Sequence, residues 1–206
     1  QKDVFWLKEN AELLNILECT GSLRDTSPHA LNEAALAPLR AFYAGAARHL
    51  CFFRQYYRFI LSICMDLEDL GLVGQGSSLD GSALRVSQMA QIPSEALAHW
   101  VLQQNLPDHE LSDLQRAEAR HLLARRGVVW DVPWLDERLH RFMDATAQFA
   151  LPNRKAAYEL THIVFYLSNY GGCDPALSPA AIQSLNHVGL LAFLDCDADL
   201  LSEVCI

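Results

Sequence analysis

The chain has 206 residues, 51% of them hydrophobic and 20% charged, with a formal net charge of −9. That apolar content excludes a disordered chain, and the acidic balance is the wrong sign for a nucleic-acid partner, which would call for a basic surface. One helical domain over 1–206 is expected, large enough to bury about 70% of the surface its unfolded chain exposes.

Helical spacing runs through nearly every segment and strand signals are scarce. Helices are predicted near 3–18, 28–36, 38–70 with a break near Gly45, 82–90, 94–104, 112–126, 133–150, 154–170, 179–194 and 198–205. Ser27-Pro28 and Ser178-Pro179 mark starts, as an N-cap followed by proline at the first helical position. Pro93-Ser94 and Ser112 mark two more, and Gly71, Gly127 and Gly171 mark stops. The run Gly74-Gln75-Gly76-Ser77-Ser78 is the expected flexible division, near 72–80. Arg116, Arg120, Arg125 and Arg126 gather near a helix end, where positive charge complements the dipole. The fold class is all-α: an irregular multi-helix bundle or a partial α/α toroid of antiparallel helical hairpins.

The six cysteines, Cys19, Cys51, Cys64, Cys173, Cys196 and Cys205, contain no C-x-x-C pair, which leaves a zinc knuckle or redox motif unsupported. Cys51 and Cys64 stand in apolar runs and are expected to be buried. Scattered thiols of this kind fit a reducing cytosol, so a cytoplasmic location is expected. The longest apolar runs carry nearby charges, so neither a signal peptide nor a membrane span is expected. The chain begins at Gln1 rather than Met, and further residues are expected to precede it.

Three Glu-x-x-His pairs, Glu118/His121, Glu137/His140 and Glu159/His162, fall within 45 residues. Eleven Glu and eight His distributed at random in 206 positions predict about 0.4 such pairs. Paired helices with this spacing supply the ligands of di-iron carboxylate bundles, because i and i+3 side chains point the same way. Helix geometry thins the set. Glu137 lies nearly opposite Leu139 of its core stripe and His140 about 100° away, so that pair is expected in solvent. Glu118 and His121 border the stripe of Ala119, Leu122 and Leu123 and read first as a surface pair.

The third pair differs. Its helix has an aliphatic stripe of Ala156, Leu160, Ile163, Val164 and Leu167, yet the other side carries Tyr158, His162, Phe165, Tyr166 and Asn169 instead of charges. A helix without a solvated face is buried all round. The aromatic face with polar tips is either a second packing interface or a pocket wall. As a site, His162 is the natural acid/base, Tyr158 and Tyr166 hydrogen-bond donors and Glu159 an orienting carboxylate. Phe165, Asn169 and His187 are candidate substrate contacts, although His187 also reads as a solvent-facing residue. No metal ligand set is assigned and the cofactor is left open. Cys173, beyond the double glycine, reads as a loop cysteine, with a nucleophile activated by His162 as the alternative. Asp195, Asp197 and Asp199 read first as an N-cap with dipole-matching carboxylates, and otherwise as a magnesium or diphosphate motif.

The stretch Thr161, His162, Phe165, Tyr166, Leu167, Tyr170, Gly171, followed by Asp197, Asp199, Leu200, Leu201 and Glu203, resembles a family of uncharacterised bacterial helical proteins. Those proteins share a Thr-His-x-x-Phe-Tyr-Leu motif, an aromatic-glycine turn and an Asp-x-Asp-Leu-Leu-x-Glu segment. The resemblance covers roughly a tenth of the chain. Its pattern has an acidic residue before the aromatic-glycine turn where this chain has Asn169. It implies where a site lies and no particular chemistry.

The functional expectation is therefore an enzyme of bacterial specialised metabolism, acting on a small molecule or peptide at a His-centred acid/base site, with no nucleic-acid or membrane partner and an open oligomeric state. The alternatives are a non-catalytic helical binding or scaffold protein and a metal-dependent oxygenase-like bundle.

Overall fold

The computed structural model describes residues 4–22, 33–73 and 92–206. Among them are eleven α-helices, two short 3-10 turns and no strand, an all-α fold. The predicted Ser27-Pro28 start, the 82–90 helix and the Gly74–Ser78 loop lie outside the described residues. The chain divides into two compact units, Gln1–Leu106 with Arg125–Val128, and Pro107–Ala124 with Val129–Ile206.

The first unit holds α1 (Val4–Cys19), α2 (Glu33–Ala44), α3 (Ala46–Phe52), α4 (Tyr57–Asp69) and α5 (Ser94–Gln103). The break at Gly45 falls as predicted, but α2 and α3 also end well before α4, with a 3-10 turn over Arg54–Tyr56 between them. Pro38 does not bound a helix. It lies inside α2 on an exposed position. Helix α4 is the core of the unit: Ile60, Leu61, Ile63, Cys64, Met65 and Leu67 are all buried. Its less buried side carries Arg58, Phe59, Ser62 and Asp69, so the helix keeps one apolar face even at the centre of the unit.

The C-terminal turns of α4 carry Asp66, Glu68 and Asp69, carboxylates at the negative end of a helix dipole. Arg125 and Arg126 neutralise them. Arg125 Nη2 lies 2.7 Å from both Asp66 and Asp69. Arg126 meets Asp69 at 2.9 Å and donates to the Met65 carbonyl and the Ser94 hydroxyl. Glu68 accepts from the Ser94 backbone N–H at 2.7 Å, so a side chain of α4 caps the start of α5. The two arginines thus serve another helix's carboxylates rather than the dipole of the helix they follow. Asp66 is completely buried, and desolvation lifts its carboxyl to about 6 against the pull of Arg125.

The second unit holds α6 (Asp113–Ala124), α7 (Pro133–Met143), α8 (Thr146–Phe149), α9 (Arg154–Leu167), α10 (Pro179–Leu194) and α11 (Ala198–Cys205). Ser112 and Gln115 form a reciprocal cap at the start of α6, each side chain bonding the other's backbone N–H at 3.2 Å. Ser178 caps α10 ahead of Pro179, its hydroxyl accepting from the Ala181 N–H at 3.0 Å. The predicted 133–150 helix divides at Asp144–Ala145, where Asp144 leaves α7 and takes a hydrogen bond from the Ser178 hydroxyl. The predicted 154–170 helix ends at Leu167, because Asn169, Tyr170 and Gly171 all adopt left-handed backbone (φ 49°, 51° and 83°). Core residues Leu123, Leu135, Leu139, Met143, Leu160 and Ile163 fill the space between α6, α7 and α9. Cys51, expected inside, is exposed; Cys64 is buried, and all six thiols are free.

Candidate functional site: the α9–α11 seam

Helix α9 starts at Asn153, whose side chain accepts from the Ala156 N–H at 3.1 Å. Its aliphatic stripe enters the core through Ala156, Leu160 and Ile163, as the spacing requires. The other side meets two neighbours, α6 and α11.

Toward α11, four α9 side chains meet three carboxylates in matching order. Arg154 Nε lies 3.0 Å from Asp197. Tyr158 donates its hydroxyl proton to Asp199 at 2.7 Å. The Thr161 hydroxyl donates to Glu203 Oε2 at 2.6 Å, and His162 Nε2 lies 3.5 Å from Glu203 Oε1. Because both helices advance in the same direction along these pairs, α9 and α11 run parallel, with α10 returning between them in the chain. Thr161 is buried while the His162 side chain is 39% exposed, so the seam grades from a sealed hydrogen bond to an accessible imidazole. Asp197 also caps α11, its carboxylate accepting from the Leu200 N–H at 3.3 Å, as its position before the helix predicts. The bond to Asp199 is the main reason the Tyr158 phenol is held above its usual range, since it fixes the proton.

Toward α6, rings form a continuous row. His162 borders Tyr158, Phe165 and Tyr166 at centroid distances of 6.2, 6.0 and 6.4 Å. Tyr170 stacks on Phe165 at 6.1 Å, and His121 sits edge-on to Tyr170 at 5.3 Å. The left-handed backbone at Tyr170, rare for a bulky residue, turns that ring back over the end of α9. Its N–H closes the turn on the Phe165 carbonyl at 2.9 Å.

The predicted residues are only partly brought together. Tyr158, His162, Phe165 and Tyr166 share one face. Glu159 stands apart: burial raises its carboxyl, Lys155 opposes that rise and Asp113 of α6 adds to it. The carboxylate beside His162 is Glu203 of α11 rather than Glu159. The Asn169 side chain lies over Gly172, where an added Cβ would come within 2.9 Å of its amide nitrogen. His187 engages the Thr146 carbonyl of α8 at 3.3 Å. The Cys173 thiol reaches the Leu167 carbonyl at 3.4 Å.

The Glu-x-x-His pairs diverge in the same way. Glu137 is exposed and pairs with Arg141 at 2.6 Å. His121 is half-buried and joins the aromatic row. Among the described residues, no group of three or more His, Cys, Asp and Glu side chains is arranged to hold a metal ion. Nor is any described helix long and apolar enough to cross a membrane.

Thr161 and Glu203, both in the motif that carries the family resemblance, meet at this seam, and Arg154, which the residue pattern does not single out, joins them. Their signal is the repeat of polar residues on α9 against acidic residues on α11, legible once the two helices are known to lie side by side. No curated protein and no solved structure matches the chain. A family model does, over residues 1–206, in keeping with the resemblance to proteins without an assigned function. The chain belongs to that family, Domain of unknown function (DUF6902).

Proposed function

We propose that the protein is an enzyme whose acid/base group is His162, working on a small molecule or peptide laid against the aromatic row of α9. One observation carries this reading: a half-exposed imidazole is backed by a carboxylate, Glu203, whose other oxygen is held by a buried threonine hydroxyl. A carboxylate beside one ring nitrogen orients the imidazole. Nε2 faces Glu203, so Nδ1 is the nitrogen assigned to the substrate. Phe165, Tyr166 and Tyr170 supply flat apolar contact, and Tyr158, tied to Asp199, borders the ring on its far side. The six free thiols suit a reducing cytoplasm, and the proposed setting is bacterial specialised metabolism.

A second reading has its own support. Arg154, Tyr158, Asp197 and Asp199 satisfy one another, as a clamp would in a non-catalytic binding or scaffold protein. Among the described residues no three His, Cys, Asp or Glu side chains gather as metal ligands would, which gives an oxygenase-like metal bundle no support.

The test follows the imidazole signals of His162 by NMR while small-molecule fractions are added, beside a His162→Ala control. Ligand-dependent shifts at His162, followed by turnover that His162→Ala removes without unfolding the chain, support the enzyme. Ligand shifts with no turnover in either protein support the binding reading. A ring indifferent to every fraction, with His162→Ala merely lowering thermal stability, sinks both and leaves a structural histidine.

A further inference from the structure

Helix α10 has sixteen residues and none of them is Asp, Glu, Lys or Arg. A helix with no charged residue and only Gln183, Asn186 and His187 among its larger polar side chains is expected to be mostly covered, although Gln183 and Asn186 are exposed. One side of α10 is indeed buried, through Ala181, Ser184, Val188 and Ala192. A second side is taken by α11, close enough that a Cβ on Gly189 would come within 3.2 Å of Val204. The remaining side is open: Ile182, Leu190, Phe193 and Leu194 are 49%, 57%, 65% and 65% exposed, and Asn186 stands among them. Their spacing of three and four residues makes one stripe about 18 Å long.

We infer that this stripe is a homodimer interface, with α10 of one copy lying antiparallel to α10 of another across a two-fold axis. The charge pattern selects a second copy. Two chains of net charge −9 repel over most of their surfaces, and an uncharged helix brings them together without setting carboxylates against carboxylates. The stripe also complements itself. With the axis at the level of Val188, each Ile182 faces Leu194 of the other copy and each Leu190 faces Asn186. Four large side chains exposed by half to two-thirds offer on the order of 500 Å². Two copies bury about 1,000 Å², the level at which a specific interface begins. A lipid surface fits less well, because interfacial helices carry Lys or Arg on the polar side and α10 has neither.

Sedimentation equilibrium on the full chain tests the inference. The expected result is a monomer–dimer equilibrium with a dissociation constant on the order of 10 µM or tighter. Leu190→Glu with Phe193→Glu should weaken it at least about 100-fold with an unchanged circular dichroism spectrum. Asn186→Leu should tighten it about tenfold, because a polar residue at an apolar helix seam lowers stability in return for register. That second variant keeps the idea testable if the glutamates disturb folding. A monomer at about 100 µM, a dimer indifferent to all three substitutions, or a monomer that floats with anionic vesicles overturns it.

Discussion

Thr161 and Glu203 form the sealed end of the α9–α11 seam: a hydroxyl 1% exposed donates to a carboxylate oxygen at 2.6 Å. The other oxygen of Glu203 is the one that faces His162. Thr161 therefore positions the carboxylate on which the proposed role of His162 depends. Thr161→Val removes the donor and keeps the volume. It should cost about 1–3 kcal/mol in urea unfolding, as loss of a partly buried hydrogen bond to a charged group does. Thr161→Ser should restore most of that loss. No loss in Thr161→Val, with the loss confined to Thr161→Ser, would mean the methyl group's packing, not the hydroxyl, is what matters.

Asp66 predicts a pH dependence whose sign follows from its burial. Its carboxyl is raised to about 6 in the folded chain from an ordinary value near 3.8. Between these values the folded state binds more protons than the unfolded state, so stability falls as pH rises. This contribution is complete below the unfolded value and lost as pH passes the folded one. Measured against Asp66→Asn, wild-type stability should drop by at most about 3 kcal/mol from about pH 4 to about pH 6.5. A parallel pair of stability curves would rule out Asp66 as the titrating group.

Arg126 tests whether charge alone holds α4 to α5. Its guanidinium reaches Asp69, the Met65 carbonyl and the Ser94 hydroxyl together. A lysine ammonium keeps the charge but not the fork. Arg126→Lys should still lose about 1–2 kcal/mol, and Arg126→Ala about 2–4 kcal/mol, in chemical denaturation. Full rescue by lysine would show that the fork is dispensable.

Gly171 has φ +83° with open space where a Cβ would go. Gly171→Ala should therefore cost only the backbone strain, about 1 kcal/mol. Gly172→Ala must also displace the Asn169 amide, so its thermal midpoint should fall further. The reverse order would show that the turn relaxes more easily than its geometry implies.

Several elements are legible in the residues because their causes are local. Ser178 and Asp197 cap the helices they precede, Gly71, Gly127 and Gly171 take positive φ near helix ends, and the stripe of Leu160 and Ile163 enters the core. Each rests on backbone geometry or on spacing within a few residues. Tertiary contact overrides such rules elsewhere. Asp144 turns to Ser178 and ends α7 early. Cys51 stands exposed although its neighbours in the chain are apolar.

Residue pattern suffices to make the chain all-α and to set His162 among aromatic residues on α9, although that helix is not buried all round as its spacing suggested, since Arg154 and Lys155 are exposed. The carboxylate that serves this histidine is chosen by packing instead. Glu159 is near His162 in sequence, yet the carboxylate beside the imidazole is Glu203, which arrives on α11 after the whole of α10 has intervened. Helical periodicity specifies the direction in which a side chain leaves its own axis. It carries no information about which neighbouring helix lies in that direction or in what register, and those depend on how the apolar faces of all the helices pack at once.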